Sequence, residues 1–426
     1  MARDLLTAAP PPEGGPRRNL SDLRGAARLF TEATLGVTAV VETMHARIAS
    51  LPGLPAPVRT RGIARLAYGS VQGVTRLVGG GVDGALALLT PLLSQPAQPE
   101  AEKPSPEREA LLAALNGVIG DHLASTGNPL ALTMALRYQG RALALERSAL
   151  QAALPGATGH VLVLLHGLCM NDLQWQRGGH DHGGALAQAC GYTPLYLHYN
   201  SGLPVRHNGR SFAALMESLL AAWPQPLERV ALLAHSMGGL VARSALHQGT
   251  LARHRWPSRV DDVVFLGTPH QGAPLERAGH GLDLLLGAVP YAAPLARLGR
   301  VRSAGITDLR HGRLAADPKP VPLPARPRCH AVAACLGSET GRLKRKVLGD
   351  GLVPVDSALG RHADPARALH FEPGHALVVD GTNHMELLNR PEVTEALRRW
   401  LCTDTGSREP APLAPAPLAR RDPHTG

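Results

Sequence analysis

The stretch Arg229–Arg243, RVALLAHSMGGLVAR, constrains the fold more than any other part of this 426-residue chain. Val230–Leu233 is a short apolar run the length of a buried strand, and a helical run begins at Leu240. Ser236 sits at the break, with Gly238 and Gly239 just after it. The pattern predicts a strand–turn–helix in which a sharp turn lifts the serine hydroxyl above the carboxyl end of a sheet. Such a turn presses strand against helix, so the residues two before and two after the serine must be small. Gly238 meets this need fully, and Ala234 adds one methyl where glycine is usual. An isolated A-x-S-x-G says little in a chain with 46 glycines, so its meaning depends on the surroundings.

The surroundings repeat the plan. Val161–Leu165, VLVLL, reads as a central parallel strand running into His166-Gly167-Leu168. A helix near Gly184–Ala189, a strand at Thr193–Tyr199 and an amphipathic helix through Phe212, Leu215, Met216, Leu219 and Leu220 precede the serine segment. Strands at Asp262–Leu266, Cys329–Leu336 and His375–Val379 and a closing helix at Pro391–Leu401 follow it. Strands alternating with helices predict an α/β fold with a doubly wound, mostly parallel sheet.

The flanks read differently. Residues 1–20 and the tail 403–426 lack apolar periodicity and are expected to be disordered. Residues 21–93 read as a helical region, with Ser21 as a cap, an apolar stripe from Phe30 and a second helical stretch over 62–93. The Pro- and charge-rich residues 94–108 form a linker. The main domain spans 109–402, and Leu130–Leu145, with mixed helical and strand signals, feeds its first strands. Residues 275–324 form an insertion whose apolar, proline-broken stretch Leu282–Leu298 is expected to act as a lid, with Leu286 touching substrate.

Composition narrows the partners. With 44% hydrophobic residues the core is large, but aromatics at 3% argue against the stacking platforms of single-stranded nucleic-acid binders. The net charge of +10 is spread over a solvated surface, with a weak attraction for anionic lipid heads. Spacings Gly69-x-x-x-Gly73 and Gly80-x-x-x-Gly84 in the second helical stretch occur in membrane helix pairs. Arg76 and Asp83 break the run, so the stretch is read as a packed hairpin, with peripheral membrane association through 62–93 as the alternative. Five cysteines imply no disulfide framework, and MARDLLTAAPPPEGGPRR has no apolar signal-peptide core. Both features favour the cytoplasm.

In open parallel sheets the chemistry sits past the carboxyl ends of the strands. The polar residues found there are Ser236, Asp350 in GDGLVPVDSA and His384 in GTNHMELL. A serine hydroxyl needs a base to become a nucleophile, and His384 fits that role. Asp350 would hold the imidazole in its working tautomer. Asp356 and Asp380 remain alternative acids. Backbone N–H groups at Leu168 and Met237 are the candidate oxyanion donors. Trp175 either lines the pocket or fills core. His166 is read as fixing the loop after its strand, His235 as pointing away from substrate and His270 as making a structural hydrogen bond. His180-Asp181-His182 offers a metal-like cluster, but Asp181 as a helix N-cap is the simpler reading.

Together VLVLLHGL, AHSMGG, GTPHQG, GDGLVP and GTNHMELL resemble the α/β-hydrolase superfamily over about His160–Leu401. The resemblance extends to bacterial lipases and esterases and to the GPI inositol-deacylase-like group. It implies a cofactor-free serine ester hydrolase, with Ser236, Asp350 and His384 as the triad and Leu168 and Met237 at the oxyanion positions. The expected function is intracellular cleavage of carboxylic esters of acyl or lipid-like substrates. Acyl transfer by the same triad and non-catalytic binding of a lipid or partner stay open.

Overall fold

The computed structural model describes residues 20–48, 65, 69–78, 80, 83, 105–273, 303–317, 319–337 and 349–402. The expected disordered ends, most of the linker and Leu286 lie outside them.

The centre is an eight-stranded sheet. In chain order its strands are β1 (Ala135–Tyr138), β2 (Arg141–Ala142), β3 (His160–Leu165), β4 (Thr193–His198), β5 (Arg229–His235), β6 (Val260–Leu266), β7 (Arg328–Cys335) and β8 (Ala376–Asp380). Their order across the sheet is β2-β1-β4-β3-β5-β6-β7-β8. β1 and β2 form an antiparallel hairpin, which is the mixed signal of Leu130–Leu145, and every other pairing from β4 to β8 is parallel. The parallel strands run as unbroken apolar stretches because both faces are covered. Val161, Val163, Leu232 and Phe265 face one core; Leu162, Leu164, Leu233 and Val264 face the other.

The first core is roofed by α2 (Pro106–Ser125), α5 (Val205–Ala222) and α6 (Met237–Leu251). Phe212, Met216 and Leu219 give α5 its buried stripe. The second core is roofed by α4 (His182–Cys190) and α9 (Pro391–Leu401), the latter through Val393, Leu397 and Trp400. α9 begins with Pro391 at its first position and carries Arg398 and Arg399 in its last turn, both favourable placements. Each fully buried leucine of these faces contributes about 1.5–3 kcal/mol relative to exposure. Further helices among the described residues are α1 (Leu20–Ile48), α3 (Arg147–Ala153), α7 (Ala304–His311) and α8 (Val355–Ala358).

α1 begins at Leu20, which places Ser21 in its first turn. One expectation needs correction. Cys190 and Cys402 are joined as a disulfide, with Cα atoms 5.2 Å apart across 212 residues, because α4 and α9 pack side by side. Spacing along the chain carries no sign of that pairing. Cys169, Cys329 and Cys335 are free and buried.

The helical region docks through the first half of α1. A Cβ on Gly25 would lie 2.4 Å from Leu130 Cγ, so only glycine allows this approach. Asn128 donates to the Gly25 carbonyl (3.1 Å), and Arg24 and Arg28 both hold Asp83 (2.6 Å each). Phe30, by contrast, is 75% exposed, as are Val71, Val74, Leu77 and Val78 at 50–77%. Among the described residues no helix is long and apolar enough to cross a membrane.

Candidate active site

Parallel registry brings the strand ends level. Leu165 pairs with Ala234 and His235 with Leu266, so the loops after β3, β5 and β6 leave the same edge. β7 and β8 add theirs beside them, with Cys335 opposite Asp380.

Ser236 occupies the sharp turn the sequence predicts, at φ 54°, ψ −124°, a region that non-glycine residues rarely enter. Its N–H bonds to Leu266 O (2.8 Å), and its carbonyl accepts from Gly239 N (3.0 Å). A Cβ on Gly238 would stand 2.4 Å from Leu165 O, and one on Gly239 would meet Thr268 Oγ1 at 2.0 Å. Both glycines are therefore required by contact, and buried Ala234 is small enough to pass.

His384 and Asp350 meet as expected. His384 Nδ1 lies 2.6 Å from Asp350 Oδ2, and both side chains are at most 2% exposed. The other oxygen, Oδ1, accepts from Leu352 N (2.9 Å) and Val353 N (2.7 Å), which fixes the carboxylate's orientation. Positive φ at Gly349 (50°) and Gly351 (95°) shapes this loop. Asp356 instead pairs with Arg361 (3.3 Å), and Asp380 ends β8. His384 Nε2 is buried and has no hydrogen-bond partner among the described residues. Gly267, at φ 57°, lets β6 turn directly under the imidazole; a Cβ there would lie 3.0 Å from His384 Cε1.

His235 braces the imidazole-bearing loop. Its Nε2 lies 3.1 Å from the His384 carbonyl, and the two rings are 4.7 Å apart. Burial drives the His235 pKa well below the usual value, so the ring stays neutral, donating from Nε2. Trp175 is 1% exposed and belongs to the second core, edge-on to His235 at 6.5 Å. His182 and His180 lie 3.0 Å apart at the start of α4, where Asp181 caps the helix by accepting from Gly183 N (2.9 Å).

The 166–172 loop carries Leu168, which is fully buried, and begins beside the serine: a Cβ on Gly167 would lie 3.1 Å from Ser236 Cβ. Met237 opens α6 on the other side. Three supports hold this loop. His166 stacks on Tyr199 (4.3 Å), and its Nδ1 meets Gly167 O (2.9 Å); burial pushes its pKa down to about 3. Cys169, at φ 59°, bonds Ser201 Oγ through its N–H (3.1 Å) and presses on α2, where a Cβ on Gly117 would meet its Sγ at 2.3 Å.

The third support is a buried charge network that the sequence gives no sign of. Arg137 Nη1 on β1 bridges Glu109 on α2 (2.7 Å) and Asp172 in the loop (3.1 Å), and His198 on β4 bonds Asp172 (3.0 Å). Burial alone would raise the Asp172 pKa, but His198 and Arg137 outweigh it and the net shift is downward. Glu109, Asp172 and His198 offer atoms within 4.8 Å of one another, a geometry open to a metal, yet the Arg137 guanidinium already supplies the positive charge between the carboxylates. Its members lie on four separate elements with no shared motif.

No curated protein matches this sequence. Among solved structures, a Pyrobaculum calidifontis esterase is 16% identical, with 74% of this chain and 95% of that one covered at a TM-score of 0.38. The RedJ thioesterase of the Streptomyces coelicolor prodiginine pathway is 15% identical, covering 58% and 86% at 0.36. The NocB thioesterase domain, in covalent complex with a fluorophosphonate nocardicin G analogue, is 17% identical, covering 57% and 96% at 0.35. Likenesses of this level add nothing to the fold read from the strand order above. Residues 213–312 match the family model for a PGAP1-like alpha/beta domain, so it is across α5, Ser236 and the loop after β6 that the chain is similar to that family.

Proposed function

We propose that the protein is a serine hydrolase that cleaves carboxylic esters of acyl or lipid-like substrates through an acyl-enzyme on Ser236. One observation carries this reading: a buried Asp350–His384 pair at 2.6 Å on the same sheet edge as a serine held at φ 54°. Asp350 accepts a hydrogen bond from the Nδ1–H of His384, which leaves Nε2 as the free base for the Ser236 hydroxyl. The activated oxygen attacks the ester carbonyl, and His384 then protonates the departing alcohol. The tetrahedral oxyanion is received by the backbone N–H groups of Leu168 and Met237, one on each side of the serine. Water repeats the attack and releases the acid.

The test is fluorophosphonate labelling with p-nitrophenyl ester turnover. Both are expected in the native protein and lost in Ser236→Ala at unchanged circular dichroism. Full labelling of the variant would remove Ser236 from the role. An added alcohol that diverts most acyl groups from water would instead make the protein an acyltransferase with the same triad.

Peripheral association with membranes is supported by the exposed stripe Val71, Val74 and Val78, one helical face beside Leu77. Co-sedimentation with anionic phosphatidylglycerol vesicles is expected to fall several-fold in Val74→Asp/Val78→Asp. Equal sedimentation of the two proteins would end this idea.

A further inference from the structure

A second polar cavity lies away from the serine. It has a volume of about 760 Å³ and is walled by α6, the loop after β6, the residues after α7 and the 364–367 turn. Neither Ser236, Asp350 nor His384 lines it. Arg243, which does, stands seven residues along α6 from Ser236, about 10 Å at the helical rise.

The wall is short of acceptors. Arg243 is 4% exposed, yet no carboxylate pairs with it among the described residues. Its Nη2 donates to the Val321 carbonyl and its Nη1 to His270 Nδ1 (3.3 Å), while Nε–H has no partner. Accepting at Nδ1 fixes His270 as the Nε2–H tautomer, and that N–H also lacks a partner. His270 is itself 4% exposed, wedged between Phe265 (4.8 Å) and Phe371 (5.8 Å), and burial keeps it neutral. Burial lowers the Arg243 pKa only to about 10, so the guanidinium stays charged at neutral pH.

Arg206, Arg313, Lys319 and Arg367 extend the positive wall towards solvent. Three carboxylates also line the cavity, each already engaged: Asp308 by Val205 N (3.0 Å), Asp317 by Lys319 N (3.0 Å) and Asp364 by Ala366 N (3.0 Å). Five cations thus stand against three carboxylates, one of which also pairs with Lys319 (3.8 Å), and two buried N–H groups lack partners. A buried arginine without a counter-ion is costly to the fold unless an anion completes it.

We propose that this cavity binds a small oxyanion, the phosphate or carboxylate of an acidic metabolite, on Arg243 and His270, with the outer arginines and Lys319 drawing it in. The site is separate from the hydrolytic centre. It touches that centre through α6, which joins Arg243 to Ser236, and through the loop after β6, which carries both His270 and the Gly267 turn beneath His384.

The full-length protein is titrated with inorganic phosphate and, separately, with malonate, at ionic strength held constant with sodium chloride, and thermal unfolding is followed. At least one oxyanion is expected to raise Tm saturably, and which one does so identifies the source. Arg243→Met should weaken that response at least ten-fold, whereas Arg255→Met, a 94% exposed arginine elsewhere, should leave it unchanged. If Arg243→Met does not fold, Arg313→Gln/Arg367→Gln removes two outer charges without touching the buried wall and should weaken the response several-fold. No saturable response to either oxyanion overturns the proposal. So does a response that survives Arg243→Met, or survives the outer pair where that replaces it.

Discussion

Ser236 is the residue on which local strain is concentrated. Its φ of 54° is tolerated because the strands behind it, the glycines after it and the Leu266 carbonyl leave the backbone no other path. That dependence on small neighbours is why the turn holding the proposed nucleophile can be read directly from the sequence: a tight turn writes glycines into the chain. Asp350 and His384 are legible for a related reason, each following an apolar strand at a glycine-marked turn. The choice among acids is less visible in the sequence, since Asp356 and Asp380 also flank such turns, and only the 2.6 Å contact separates them. Asp350→Asn is expected to lower kcat by something on the order of 10⁴ through the wrong imidazole tautomer, with Asp356→Asn near the native rate. The reverse ranking in steady-state ester kinetics would reassign the acid.

At the level of elements, the strands and the helices α4, α5, α6 and α9 follow from apolar period and length, within a residue or two at most ends. What periodicity cannot carry is how distant elements brace one another. Glu109, Arg137, Asp172 and His198 are unremarkable in their own segments, and their meaning arises only when α2, β1, β4 and the 166–172 loop are folded together. Arg137→Met strips the cation from two buried carboxylates and is expected to cost about 3–5 kcal/mol in urea unfolding. Adding Glu109→Gln should recover part of that loss, since one uncompensated charge is then gone. A single variant as stable as the native protein would show that the guanidinium is not what holds the loop.

The whole molecule is sensitive to acid for reasons spread across both cores. Burial holds the His166 pKa down to about 3 and that of His182 to about 4, whereas in the unfolded chain both sit near the ordinary ~6.5. Since the folded values are depressed, their contribution is complete above about pH 6.5. It is lost as pH falls towards 4, where the unfolded chain binds protons that the folded chain refuses. Each such histidine removes about 1.4 kcal/mol between pH 7.5 and 5.5. Urea unfolding of His182→Gln should be less pH-dependent than the native protein by about that amount over the same interval. An unchanged difference would mean that His182 is not held neutral.

The contact of Gly117 with Cys169 has a consequence for how this molecule can be taken apart. The proposed nucleophile, base and acid all lie downstream of residue 130, but the floor beneath Leu168, the proposed oxyanion donor, belongs to α2, upstream of it. A cut in the chain between α2 and β1 would thus yield one fragment holding every reacting side chain and another holding what aligns them. Gly117 against Cys169, Gly120 against Asn200 and the shared hold of Glu109 and Asp172 on Arg137 would be the complementary surfaces for rejoining. The helices that precede the first strand are, in that sense, less an appendage than the missing half of the proposed site.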